Sequence, residues 1–210
     1  MTPAEERLTR KQRQEHTRRR LLDAAGRVFA RRGLMQASVD EVAADAGFTK
    51  GAVYANFESK EELFLEMLDV RFAARLAEMD RALSTDEPPE AQARAAGRDF
   101  IDYLGGDPDW KRLFFEAALL ASRDEAFRVK LQEHYAQMRG RMAELLQART
   151  AAGGFDPGVP FDQLATMIFA MANGMAFEQF VEPEAVPDDL FSTMLELFTL
   201  GAASRQSSST

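Results

Sequence analysis

The sequence predicts an all-α protein of about nine helices. Two patterns point there. Apolar residues recur at helical spacing in one segment after another, and those segments are punctuated by glycine, proline and Ser/Thr/Asp start signals. A third observation is negative: no segment sustains the alternation of a strand flanked by hairpin turns.

The elements follow in order. Residues 1–11 read as a flexible basic arm. From about Gln12 to Arg32, Leu21, Leu22, Ala25, Val28 and Phe29 form one apolar stripe, and Gly33 stops the helix. Ser38-Val39-Asp40-Glu41 fits a capping box, in which the serine accepts from a first-turn N–H and the glutamate reaches back. It opens a short helix to about Ala46, ended by Gly47. Thr49 can cap another short helix, Lys50 to about Asn56. Ser59-Lys60-Glu61-Glu62 is a second capping box, opening a long helix striped by Phe64, Leu68, Phe72, Leu76, Met79 and Leu83. Helices over Ala91–Leu104, from Pro108, and through Phe127–Leu146 follow, with Gly105-Gly106 and Asp107-Pro108 as break and restart. Beyond the loop Gly153–Pro160 two more are expected, about Phe161–Val181 and Pro187–Ala202. The tail 204–210 reads as disordered. The domains are therefore placed at 12–60 and 61–203.

Composition removes several classes of chemistry. The 210 residues contain no cysteine and only two histidines, His16 and His134, far apart. Thiolate metal sites, disulfides and cysteine nucleophiles are excluded, and a histidine-built triad or metal site is not expected. No P-loop, dinucleotide fingerprint or nucleophile elbow appears, so the chain does not read as an enzyme, and no cofactor is expected. The charged N-terminus lacks the apolar core of a signal peptide. The uncharged stretch between Asp162 and Glu178 is shorter than a membrane span. A mean hydropathy of −0.32 and 46% hydrophobic residues suit a soluble globular protein, expected in the cytoplasm.

Residues Ser38–Asn56 form helix, glycine turn, helix, both helices short. That is helix-turn-helix geometry, in which the start of the second helix reaches base edges in the major groove. Thr49, Lys50, Tyr54 and Asn56 would point outward and suit phosphate oxygens, while Val39, Val42, Ala43 and Val53 pack inward. A plain helical hairpin also turns on glycine, so spacing alone leaves both readings open. Lys60 at a helix start opposes the macrodipole, and a phosphate would supply the missing anion.

The run from Ser38 to Leu63 resembles the DNA-binding signature of TetR-type (TetR/AcrR-like) transcriptional regulators, and Leu21–Gly33 resembles that family's first helix. The match is specific over about residues 15–66, and the helix count agrees over the rest. The resemblance implies a three-helix DNA-binding domain followed by a helical ligand-binding and dimerisation domain. It implies that Thr49, Lys50, Gly51, Ala52, Tyr54 and Asn56 face DNA. Tyr54, Asn56 and Lys60 would hold phosphates, Lys50 and Ala52 would lie nearest the bases, and Ser38 would both cap the support helix and touch phosphate. Arg18 is placed near the DNA backbone. Ala55-Asn56 departs from the bulkier aromatic or histidine residues many members carry there.

The second half then reads as a regulatory body. Phe100, Tyr103, Leu104, Trp110, Phe114, Phe115, Leu119, Tyr135, Met138, Met142, Phe169, Asn173 and Phe177 are the expected ligand pocket, suited to an apolar or cationic small molecule. The last two helices are apolar around much of their girth. Leu164, Ile168, Met171, Met175, Phe191, Met194, Leu195 and Phe198 are the expected dimer interface, forming a four-helix bundle with the same pair from a second copy. The expected function is a homodimeric repressor that binds a palindromic DNA operator and is released by a small-molecule effector, with no membrane partner. The alternatives are a DNA-binding regulator without a small-molecule switch and a helical interaction module that does not bind DNA.

The net charge of −8 argues against a nucleic-acid partner until it is divided. Residues 1–60 carry twelve basic and eight acidic side chains, a net +4; the remainder carries −12. A basic reader sits beside an acidic body.

Overall fold

A computed structural model describes residues 9–105, 108–153 and 156–207, with side chains outside 99–110, 151–155 and 205–207. Among them the chain forms nine α-helices and one 3-10 turn, and no strand. The helices are α1 Arg10–Arg32, α2 Val39–Ala46, α3 Lys50–Tyr54, α4 Lys60–Ala82, α5 Pro89–Gly105, α6 Pro108–Ala121, α7 Glu125–Gly153, α8 Phe161–Val181 and α9 Leu190–Ser207. The all-α expectation holds.

The chain divides into two compact units, residues 1–70 and 71–210. The boundary lies inside α4, ten residues beyond the expected one. The first turns of α4 belong to the first unit because Leu63, Phe64 and Met67 are buried there. Phe64 meets Phe29 of α1 edge-on at 5.5 Å. With Leu21, Ala25, Val42, Val53 and Phe57, all nearly inaccessible, these residues make a small continuous core.

Local signals set the helix ends. Ser38 accepts from Glu41 N while the Glu41 carboxylate accepts from Ser38 N, so the expected capping box is complete. Gly47 closes α2 at φ 71°, a left-handed conformation that costs glycine nothing. Two boundaries differ from expectation. The helix expected from Gln12 starts at Arg10, because Thr9 and Gln12 form a further capping box. At the other end α9 continues to Ser207, so residues 204–207 are helical, not a disordered tail.

The second unit is built around a core of Phe72, Met79, Met142, Leu164, Ile168, Ala172 and Phe191, with α7 and α8 supplying most of it. Helices α5 and α9 approach very closely at Gly97. A Cβ there would lie 2.8 Å from the Ser192 Cα, so only glycine fits. Arg94, one turn away, bridges to Asp189 at 3.3 Å and to Glu196. Among the described residues α8 alone is long and apolar enough to cross a membrane, at 21 residues and mean hydropathy 1.2. Leu164, Ala165, Ile168, Phe169 and Ala172 on its inner face are buried in this core, which accounts for the composition.

Candidate functional site

Helices α2 and α3 form the reader. Val39, Val42, Ala43 and Ala46 fix α2 to the core, and Val53 fixes α3. Only one side chain of the five-residue α3 is buried, so the rest of it is carried on the surface. Its cap, Thr49, accepts from Ala52 N at 3.3 Å. Thr49, Lys50 and Gly51 are exposed, Tyr54 is 51% exposed, and Ala52 is half-buried. These residues therefore form one accessible face at a helix start, the geometry that enters a major groove. Ser38 is half-buried and serves as the cap of α2.

The face carries little fixed charge of its own. Lys50 Nζ lies 2.9 Å from Asp40 Oδ2, both exposed, and this partner raises the lysine pKa. An exposed pair of this kind is easily exchanged for a phosphate. Behind it, Asp45 is held by Arg31 at 3.0 Å and Arg27 at 2.7 Å, which lower its carboxyl below the usual range. The Glu41 carboxyl is lowered too, first by its hydrogen bonds from Ser38 and then by Arg32.

Three side chains expected to meet phosphates are engaged within the protein. Lys60 does not project an unpartnered ammonium. Its Nζ donates to the carbonyls of Leu34 at 2.8 Å, Ala37 at 3.1 Å and Met35 at 3.4 Å. The partial negative charge of three carbonyls supplies what a phosphate was expected to supply. Arg18 donates to the Asn56 carbonyl and to the Glu66 carboxylate, and its guanidinium lies 4.4 Å from the centre of the Phe57 ring. It ties α1 to the end of α3 and to α4. Asn56 turns its amide nitrogen inward to the Ala52 carbonyl at 2.8 Å, and its Oδ1 is buried without a hydrogen-bond partner. A fourth tie was not anticipated: Arg20 donates to the Ala46 carbonyl at 2.8 Å and covers the Phe48 ring at 4.9 Å. Sequence spacing marks these cations as available, but it carries no sign of carbonyls 23 to 38 residues away.

The expected ligand-pocket residues whose side chains are described lie in several places. The side chains of Phe100, Tyr103, Leu104 and Trp110 lie outside the described residues. Met138, Met142 and Phe169 are buried in the core, with Tyr135 packed against it. Phe115 packs on Phe114, Phe177 and Phe180, and the last two are 52% and 58% exposed. Leu119 is exposed and Asn173 half-buried. None of the described ones lines a cavity found elsewhere in the second unit. That space, of about 100 Å³, is bounded by Met79, Leu83, Leu146, Leu164, Ile168, Leu195 and Phe198, with Gln92, Arg149, Thr150 and Thr199. Large aromatics fill space, whereas this cavity opens beside the small residues Ala93 and Ala96 of α5, a signal the sequence shows as Ala91, Ala93, Ala95, Ala96 and Gly97.

The expected dimer residues lie against the core of their own chain. Leu164, Ile168, Met175, Phe191 and Leu195 are 1–9% exposed inside a single chain. Met171, Met194 and Phe198 are half-buried against the same core. The outer faces of the two helices carry other residues. Met167, Ala170, Gly174, Phe177 and Val181 repeat at spacings of three and four along α8, all exposed, and Leu197 and Leu200 do so on α9.

Comparison with known proteins agrees with this architecture. Residues 21–67 match the family described as bacterial regulatory proteins, tetR family. Residues 89–199 match the C-terminal region of BetI-type transcriptional repressors. The transcriptional repressor SCO4008 of Streptomyces coelicolor is 29% identical over 160 residues, 76% of this chain and 78% of that one. The transcriptional activator FasR of Mycolicibacterium smegmatis is 35% identical over 117 residues, and the match spans 56% of this chain but only 53% of FasR. Among solved structures, FadR from Bacillus subtilis in complex with stearoyl-CoA superposes with a TM-score of 0.65 at 17% identity, covering 86% of this chain and 96% of that one. With a helix-turn-helix unit followed by a BetI-type helical body, this chain belongs to the TetR family of DNA-binding transcriptional regulators.

Proposed function

We propose that the protein is a homodimeric, ligand-responsive transcriptional repressor acting in the cytoplasm on a palindromic operator. One observation carries the DNA-contacting surface: the accessible face of α3, where Thr49, Lys50, Gly51, Ala52 and Tyr54 stand clear of the core. In this reading Lys50 and Ala52 meet base edges, and Thr49 and Tyr54 meet phosphates. Ser38 caps the support helix beside them. Arg18, Asn56 and Lys60 hold the frame.

Dimerisation uses the outer stripes of α8 and α9. Met167, Ala170, Gly174, Phe177 and Val181, with Leu197 and Leu200, form an exposed apolar surface whose small residues permit close helix approach. Two readers about 34 Å apart then address successive major grooves. An apolar or cationic effector held in the helical body favours a state in which α4, which contributes residues to both units, is tilted and the readers no longer match that spacing. A roughly hundredfold preference for that state corresponds to ~2.7 kcal/mol of coupling, an ordinary size.

The test is fluorescence anisotropy on the promoter of the protein's own gene at several salt concentrations. Specific retention that is lost in Lys50→Ala and Tyr54→Ala supports the reading. Equal binding by both variants and the parent overturns it. Binding that no small molecule relieves leaves a regulator without the switch.

A further inference from the structure

We propose that the cavity between α4, α5, α7, α8 and α9 is the effector site, and that it takes a compact, uncharged apolar group and not a cation. This rests on the ligand-responsive reading above and narrows its apolar-or-cationic effector to one class.

Three features of the lining carry the inference. The first is size. The cavity holds about 100 Å³. An apolar cavity of about 150 Å³ accommodates benzene, so a group of about four or five non-hydrogen atoms fits. The second is hydrogen bonding. The Thr199 hydroxyl donates to the Leu195 carbonyl at 2.9 Å, and the Thr150 hydroxyl to the Leu146 carbonyl at 2.8 Å. The Gln92 amide donates to the carbonyls of Thr85 at 2.7 Å and Glu87 at 2.9 Å. The polar side chains at the wall thus already donate to backbone carbonyls of their own helix or of the segment before it, leaving a surface mainly of methyl, methylene and ring carbons. The third is charge. Among the described residues Arg149 is the one charged residue of the lining, and no carboxylate lines it. Arg149 is itself held by Asp80 at 2.6 Å. A cation entering here would lose its water and meet another cation, whereas an uncharged apolar group loses nothing.

The cavity is also preformed. Its α5 and α9 walls meet at the Gly97–Ser192 approach and are pinned by Arg94 to Asp189 and Glu196. These contacts oppose sliding of the two walls into the space. A ligand fills it without first having to open it.

The experiment uses two probes of equal size and shape, tert-butanol and tetramethylammonium. The readout is the methyl signal of Met79, a lining residue, in protein labelled at the methionine methyls and assigned through Met79→Leu. The expected result is a saturable shift with tert-butanol and none with tetramethylammonium at tenfold higher concentration. Ala96→Leu, which grows into the cavity, weakens the tert-butanol response at least tenfold. Ala93→Leu, on the same wall, does the same and covers the case in which Ala96→Leu fails to fold. A response to tetramethylammonium as strong as to tert-butanol, or an undiminished response in a folded filled variant, overturns the proposal. Operator binding separates the two claims. If saturating tert-butanol shifts Met79 but leaves operator affinity unchanged, the site stands and the switch falls. If a filled variant is released from operator by tert-butanol as well as the parent is, the switch stands and this site falls.

Discussion

Replacing Lys60 by methionine separates a structural from a DNA-contacting role at the start of α4. Methionine keeps most of the stem and removes the three donors. The carbonyls left behind belong to Leu34, Met35 and Ala37. Leu34 and Ala37 are 0% and 3% exposed, so their carbonyls regain water poorly. Met35 is 57% exposed and its contact is the longest at 3.4 Å, so it contributes little. A hydrogen bond to a charged donor is worth about 1.5–3 kcal/mol, and the half-buried ammonium places these two near or below the lower end. About 2 kcal/mol follows for the pair. For a chain of this size that lowers the melting temperature by roughly 4–8 °C, read by differential scanning calorimetry. The salt dependence of operator binding should not change, since no phosphate contact is lost. A variant that melts with the parent but loses about 0.9 from the slope of log K against log salt would show that the ammonium serves DNA and would refute the reasoning.

Other outcomes follow from the same structure. Lys50→Ala should leave the melting temperature unchanged, because its pair with Asp40 is exposed, while weakening operator binding severalfold in anisotropy. Gly97→Ala puts a Cβ 2.8 Å from the Ser192 Cα and should destabilise the second unit by about 1–3 kcal/mol in urea unfolding; unchanged stability would deny the close seam. If the proposed dimer forms through the outer face of α9, Leu197→Glu should leave a monomer in sedimentation while the circular dichroism spectrum is kept. Acid should loosen the first unit through Asp45 and Glu41. Both carboxyls are lowered in the folded chain from ordinary values of 3.8 and 4.5, so their contribution is complete above those values and is lost as pH falls through the lowered ones. Asp45→Asn should flatten that acid limb, and an unaltered limb would remove Asp45 as a cause.

Much of the fold was legible because helix ends are local chemistry. The bounds of α8 came out as Phe161–Val181 from Pro160 and Glu182-Pro183 alone, and Ser38–Glu41 announced its own capping box. Thr9-Arg10-Lys11-Gln12 carries the same kind of signal, obscured by the surrounding run of charge. Facing was harder to read. A helix apolar on most sides offers two stripes, and periodicity does not say which meets the core. The stripe through Leu164 and Ile168 goes inward and the one through Met167 and Phe177 outward. The least legible features were those made by distant backbone. Nothing near Lys60 announces the Leu34 and Ala37 carbonyls, and nothing in a list of large aromatics announces a space left by Ala93 and Ala96.

The ties made by Arg18, Arg20 and Lys60 have a consequence for descent. They secure the frame of the reader from behind, and each anchors to backbone carbonyls, which every sequence supplies. The exposed surface at Lys50 and Gly51 contributes almost nothing to that frame. Mutations there can wander through operator preferences with the scaffold intact, so a duplicated gene can acquire a new address without first passing through an unstable intermediate. Selection on the address and selection on the fold act on separate sets of residues in one short segment.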